Sequence, residues 1–326
     1  MTIPKIGITL GDPGGIGPEV ILKALSLKNS IPKAHYILFG NSLLIKEEKK
    51  NLGIELNIQP ITRFKQSINY EFSLHEVHST LRAVKKGFPS KENGEASFLF
   101  FKEGTEAAKQ KKIQSLVTAP ISKKSWELAG LQWRGHTDYL RQKYPQAIMA
   151  FWSEKIKVAL FTSHLPLKEA LEKIREKDLL EFFLIIHRCI ERIRSGKYEL
   201  LVAGLNPHAG EEGLLGTEEK KEIIPAIKKA QNEGLNISGP YPPDIVYRKA
   251  INQPDKIVIA LYHDQGLIPF KLLTFEKGVN LTLGLPFIRT SPDHGTAFDI
   301  VGQGKANPQS IIEAIKLAHS LSQASL

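Results

Sequence analysis

KIGITLGDPGGIGPEVILKALSL, residues 5–27, decides the fold class. Its first part, KIGITLG (5–11), is apolar, carries β-branched residues and has the length of a strand. DPGGIGP follows as a turn cluster, and PEVILKALSL reads as a helix. The same order recurs outward along the chain. HYILFG (35–40) is a strand, followed by a helix from Asn41 to Asn51 and a less regular, turn-containing region over 55–92. Residues 92–112 read as one long helix, and SLVTAP (115–120) as a strand ended by Pro. LLEFFLIIHRCIERIRSG (179–196) is an amphipathic helix ending at Gly196. Residues 216–234 form another, capped by Thr217 and stopped by Gly234, and the last covers 308–324. Strands alternating with helices specify an α/β fold with a largely parallel sheet.

Gly11, Gly14, Gly15 and Gly17 lie between that first strand and helix, where exposed N–H groups can hold an anion. Their spacing fits neither G-x-G-x-x-G nor G-x-x-x-x-G-K-[ST]. A tight turn needing positive φ explains them equally. Asp12 and Glu19 either line a cleft or cap and charge the helix start.

The chain has 326 residues, a length that favours two domains. A boundary near GLQWRGHTDYL (130–140) divides it into a first domain of residues 1–130 plus 300–326 and a second of 131–299. Apolar residues make up 42%, ordinary for a globular protein, and no apolar run approaches the ~20 residues needed to span a bilayer. The N-terminus lacks the apolar run of a signal peptide. Cys189 is the only cysteine, on what reads as a buried helical face, so intramolecular disulfides are excluded. A cytoplasmic location is expected. The net charge of +10 comes with no nucleic-acid-binding signature and suits small anions, although solvated lysines explain most of the excess.

Three strand-like runs end near histidines. His164 follows KVALFTS, His208 follows ELLVAGLNP, and His263 follows KIVIALY. In open α/β sheets ligands bind beyond the carboxyl ends of strands, so three imidazoles delivered there could converge on one metal with positions left for substrate. Asp264 is placed to orient His263. Taken singly, each histidine is more often structural, and His294 is a rival ligand.

GHTDYL offers His136 and Thr137 as hydrogen-bond donors to a phosphate or carboxylate, or else a helix capped by Thr137. Lys271, Asn280 and Arg289 recur at intervals of nine in a Gly/Pro-framed stretch, and Arg289 sits between apolar LPFI and a turn. Arginine binds phosphate or carboxylate bidentately, and lysine supplies a point charge.

GITLGDPGGIGPEV, TAPISK, GHTDYL, TSHLPL, GLNPHAGE, YHDQGLIPFK and GVNLTLGLPFIRTSPDHGTA, in that order, resemble the PdxA family, the 4-hydroxythreonine-4-phosphate dehydrogenases of vitamin B6 biosynthesis. The resemblance covers residues 5–310. It implies two α/β/α domains flanking a cleft, similar to the isocitrate and isopropylmalate dehydrogenase fold, and a homodimer with each active site at the subunit interface. It also implies NAD or NADP, and one divalent metal, zinc or alternatively cobalt or magnesium. The family's metal ligands fall on His164, His208 and His263, and its substrate residues on His136, Thr137, Lys271, Asn280 and Arg289. These matches set His294 aside. The implied reaction oxidises 4-phosphooxy-L-threonine at C3, with Lys271 and Asp244 as candidates for the group that takes the hydroxyl proton. No cofactor contact is assigned. A paralogue acting on D-threonate or D-erythronate 4-phosphate is the alternative; a non-catalytic anion-binding protein and a phosphoryl- or acyl-transferring relative are remoter readings. Asp138, Trp133-Arg134 and Gly14-Gly15 depart from the family's commoner residues.

Overall fold

The protein was analysed as a computed structural model, which describes residues 3–79, 81, 84–193 and 196–324. The chain divides into two compact units, 1–147 with 285–326 and 148–284. The first unit begins with β1 (Lys5–Thr9), α1 (Gly17–Ser26), β2 (His35–Gly40), α2 (Ser42–Leu52), β3 (Gln59–Ile61) and β4 (Phe72–Glu76). It continues with α3 (Lys91–Lys109), β5 (Ser115–Thr118), α4 (Lys123–Leu128) and α5 (His136–Lys143). The second unit holds β6 (Ile148–Trp152), β7 (Lys157–Leu160), α6 (Leu167–Glu172), α7 (Glu176–Ile193), β8 (Glu199–Ala203), α8 (Ile224–Asn232), β9 (Ile237–Tyr241), α9 (Pro243–Ala250), β10 (Lys256–Ala260), α10 (His263–Thr274) and β11 (Val279–Leu283). The chain then returns to the first unit with β12 (Ile288–Pro292) and α11 (Gln309–Ala324).

The boundaries at 147/148 and 284/285 differ from the sequence-based 130/131 and 299/300. GHTDYL does not lead out of the first unit. It opens α5, whose Tyr139 ring meets Phe98, Phe101 and Trp133 with centroids 5.6, 5.4 and 4.8 Å away. The LPFIRTSP segment is also retained there, because β12 pairs in parallel with β5. The expected helix over 179–196 is α7, described to Ile193; Arg194 and Ser195 lie outside the described residues.

In the first unit the strand order β3-β4-β2-β1-β5-β12 is parallel at every pairing. Parallel strands covered on both faces read as continuous apolar runs. Ile6, Ile8, Leu10, Leu116 and Val117 are accordingly fully buried, as are Phe100, Phe101 and Trp126 on the helices. Each such side chain stabilises the fold by roughly 1.5–3 kcal/mol. Side chains define the helix starts: Asn41 accepts from the N–H groups of Leu43 and Leu44, and Ser90 and Ser122 cap α3 and α4.

In the second unit the order is β11-β6-β7-β10-β8-β9. β11, β6 and β7 pair antiparallel, while β7, β10, β8 and β9 are parallel. Val158, Leu160, Val258, Ala260, Val246 and Phe270 form its core. The helix expected over 216–234 starts with a π turn, Glu219–Ile223, before α8; Pro225 in the first turn of α8 has no N–H to continue a regular ladder.

Candidate functional site

Strand order decides where each unit can bind a ligand. In the second unit the chain runs outward from β8 to β9 and then returns to place β10 on the other side of β8. The loops leaving β8 and β10 therefore diverge, which opens a crevice at their carboxyl ends. His208 follows β8 and His263 follows β10, one on each side of this reversal, and His164 follows the next strand, β7. The His164 and His263 rings are 5.5 Å apart between centroids. His263 Nδ1 lies 2.7 Å from Asp264 Oδ1. His208 stands on a turn of its own; among the described residues no three His, Cys, Asp or Glu side chains are gathered tightly enough to hold a metal ion. His164 and His208 both have φ +53°, rare for a residue with a side chain. Such conformations are concentrated at functional sites.

Buried polar side chains strap these strand ends together. Thr162 Oγ1 donates to the Leu261 carbonyl at 2.8 Å, tying the end of β7 to that of β10. Gln265 accepts from Leu261 N at 2.7 Å and donates to the Gly204 carbonyl at 2.7 Å, tying β10 to β8. The Tyr247 hydroxyl in turn donates to the Gln265 carbonyl. The three histidine-bearing segments thus leave a single cross-linked edge.

In the first unit the strand order reverses between β1 and β5. Thr118 closes β5, and Arg289 stands on the neighbouring β12 with its Cα opposite Leu116. Arg289 is only 2% exposed. Its Nε and Nη2 donate to Thr118 Oγ1 at 3.0 and 2.6 Å, and Nη2 approaches His136 Nδ1 at 3.1 Å. A guanidinium has no acceptor, so His136 Nδ1 must accept and Nε2 must carry the imidazole proton. That Nε2 is buried without a hydrogen-bond partner. Burial first, and then the Arg289 charge, hold His136 well below its ordinary pKa, which keeps the ring neutral. Burial draws Arg289 down to about 10, still charged at neutral pH. Phe101 and Trp126 wall the His136 ring at centroid distances of 4.2 and 5.6 Å. A buried cation beside an unpaired N–H donor is an arrangement suited to phosphate or carboxylate.

The structure thus brings His136 and Arg289 into contact. Thr137 is the second residue of α5, half-buried; it is not the cap, since the helix begins at His136 with Gly135 before it. Lys271 is exposed on α10, and Asp244 is exposed in the first turn of α9. Asn280 lies on β11, with its Oδ1 buried and unpartnered. His294 Nδ1 lies 3.0 Å from the Gly295 carbonyl. The β1–α1 loop is packed by neighbouring segments: a Cβ on Gly11, whose φ is +72°, would come within 2.3 Å of the Pro120 carbonyl oxygen. Glu19 accepts from Lys23 Nζ and from Ala306 N, so it fastens α1 to the segment before α11. Asp12 is fully buried, with Oδ1 accepting from Gly14 N at 2.8 Å.

With this geometry in place, comparison with known proteins is decisive. The family model described as pyridoxal phosphate biosynthetic protein PdxA matches residues 32–318. The chain belongs to the PdxA family. It is 40% identical over 325 residues to a 4-hydroxythreonine-4-phosphate dehydrogenase of Sulfurihydrogenibium sp., covering 96% of this chain and 97% of that one. It is 37% identical to a D-threonate 4-phosphate dehydrogenase of Salmonella typhimurium, covering 98% of this chain and all of the other. The crystal structure of 4-hydroxythreonine-4-phosphate dehydrogenase from Klebsiella pneumoniae superposes with a TM-score of 0.88 at 32% identity, covering 99% of both chains. These PdxA-type relatives are oxidoreductases by name.

Two of this chain's departures from commoner PdxA residues have a local role. Asp138 Oδ2 accepts from Arg134 N at 3.0 Å, and the Trp133 ring stacks on Phe98 at 5.2 Å, so both shape the turn that delivers His136. Sequence reasoning did not assign Thr118, Gln265 or Glu219. Thr118 offered one signal, its place at the end of a strand; Glu219 had none, because it sits in a charged run that reads as solvated surface.

Proposed function

We propose that this PdxA-family chain is an NAD(P)- and metal-dependent dehydrogenase. It oxidises the C3 hydroxyl of 4-phosphooxy-L-threonine to give 2-amino-3-oxo-4-phosphooxybutanoate, a β-keto acid that loses CO2 to form 3-amino-2-oxopropyl phosphate. The observation that carries this reading is the buried Arg289–His136 pair, whose unpartnered Nε2–H calls for an anionic oxygen. The full-length relatives are named for phosphorylated four-carbon acids, which supply such oxygens.

Arg289, His136 and Thr137, with Lys271 and Asn280, bind the phosphate and carboxylate and fix C3 in place. Lys271 or Asp244 takes the hydroxyl proton. His164, His208 and His263 would hold one divalent ion, zinc or alternatively cobalt or magnesium. The close His164–His263 pair fits that role, and Asp264 at Nδ1 of His263 leaves Nε2 for coordination. Bound metal supplies Lewis acidity toward the hydroxyl oxygen, and NAD or NADP supplies the hydride acceptor. Two close imidazoles in one chain suit a homodimer in which a second copy completes the site. No helix among the described residues is long and apolar enough to cross a membrane, and a cytoplasmic enzyme is part of this reading.

The test is to mix metal-loaded protein with NAD+ or NADP+ and each phosphorylated acid, and to follow reduced-cofactor absorbance. Signal with 4-phosphooxy-L-threonine supports the proposal, and silence with every acid sinks it. Signal only with D-threonate or D-erythronate 4-phosphate makes the chain the paralogue, similar in activity to the Salmonella enzyme to which it is 37% identical.

A further inference from the structure

His208 is carried by a turn that has no conformational reason to persist. Residues His208, Ala209, Gly210, Glu211 and Glu212 all have positive φ, at 53, 54, 79, 40 and 53°. Side-chain-bearing residues visit that region singly and seldom in a run, because Cβ crowds the backbone. Something outside the turn must hold it.

The neighbouring structure supplies one candidate. Glu219 lies in the π turn before α8 and is 2% exposed. Its Oε1 accepts from Leu205 N at 2.8 Å and from Asn206 N at 2.7 Å. Its Oε2 accepts from Asn206 Nδ2 at 2.9 Å, and the same amide donates to Glu218 Oε2 at 2.8 Å. Leu205 and Asn206 are the residues through which the chain passes from β8 into the turn. On its far side the carboxylate lies against Gly210, where a Cβ would stand 2.6 Å from Oε2. Gly210 is thus required for two reasons, its φ of +79° and the lack of room. Three donors converge on one buried carboxylate, and none belongs to His208 itself.

We propose that Glu219 is the positioning residue for His208. It fixes the entry to the left-handed turn and fills the space beneath it, and so presents the imidazole at the carboxyl edge of β8. This rests on the reading of His208 as a metal ligand. Outer groups that orient a ligand typically change metal affinity by about 10- to 100-fold when removed.

The experiment uses the full-length chain stripped of metal and titrated with Co2+, read by its visible absorption, alongside thermal unfolding of each variant. Glu219→Ala is expected to weaken Co2+ binding about tenfold or more and to alter the Co2+ spectrum. Glu219→Gln keeps one acceptor oxygen for the Leu205 and Asn206 N–H groups, and recovers most of that loss. A merely structural role would lower the unfolding temperature and leave the affinity of the folded protein untouched; that result overturns the proposal. Where Glu219→Ala fails to fold, Asn206→Ala replaces it: weaker Co2+ binding supports the proposal, and wild-type affinity overturns it. His208→Ala is the control for the underlying reading. Its loss of Co2+ binding beside an unaffected Glu219→Ala overturns the positioning role alone, whereas undiminished binding in His208→Ala removes the ligand role and this proposal with it.

Discussion

Arg289 Nη2 and His136 Nδ1 share a hydrogen bond of 3.1 Å in which only the arginine can donate. The arginine thereby selects the histidine's tautomer and directs its one proton to Nε2, while its charge opposes a second proton on the ring. The pair works as a unit, and its two members fail differently when altered.

Loss of the guanidinium is read in substrate binding. Arg289→Lys retains a charge but cannot serve Thr118 Oγ1 and His136 Nδ1 in the same fork. Hydrogen bonds to charged groups contribute about 1.5–3 kcal/mol. KM for the phosphorylated substrate should therefore rise by roughly 10- to 100-fold. Steady-state kinetics with an unchanged KM would remove Arg289 from the binding site.

The histidine is read in stability against pH. Burial places the folded-state pKa of His136 well below the ordinary 6.5. In the window between the two values the unfolded chain binds the extra proton, so the contribution is intact above pH 6.5 and is lost as pH falls toward the folded value. The slope in that window is about 1.4 kcal/mol per pH unit. Denaturant unfolding from pH 7 to pH 5 should show wild type losing more stability than His136→Asn; parallel curves would contradict the buried neutral ring.

Asp12 carries the opposite sign. Desolvation raises its pKa above 3.8, against weaker opposing hydrogen bonds from Ser125, Gly14 and Ser122. The folded state therefore holds the proton longer, and stability falls as pH rises through that raised value. Asn at this position keeps an acceptor for Gly14 N without the charge. Asp12→Asn is expected to unfold at a higher temperature than wild type at pH 7, with the gap closing near pH 4; a lower midpoint at pH 7 would count against a penalised carboxylate.

Gln265 tests the strapping of the histidine-bearing edge. Gln265→Leu leaves Leu261 N and the Gly204 carbonyl without their partner in a buried setting. Each orphaned group costs about 1–3 kcal/mol, so the variant should lose at least about 2 kcal/mol in urea unfolding. A smaller loss would mean that water or a shifted side chain replaces the amide.

Strands were the most legible part of the sequence, since a short continuous apolar run such as KIVIALY suits a strand covered on both faces, as in a parallel sheet. The positions of His164, His208 and His263 beyond three strand ends followed from that reading alone. Pairing between distant segments was not legible. Nothing local in IRTSP signals that β12 joins β5, and this pairing keeps Arg289 in the first unit, whereas the sequence-based boundaries put both Arg289 and His136 in the second. Buried polar groups were the least visible. Glu219 and Gln265 look like surface residues in a single sequence, because their burial is set by backbone N–H and carbonyl groups that other segments bring to them.

β12 pairs with a strand that precedes it by the whole of the second unit, and this has a consequence for biosynthesis. On the ribosome, where residues appear at about 5–20 per second, every residue of the second unit is synthesised before Ile288. A chain ending at Gly284 contains the residues of every strand from β6 to β11, including the partners Ile148 and Leu283, yet it has no Arg289. The Arg289–His136 pair is thus completed only late in synthesis, and a truncated product can carry His164, His208 and His263 while lacking the buried guanidinium.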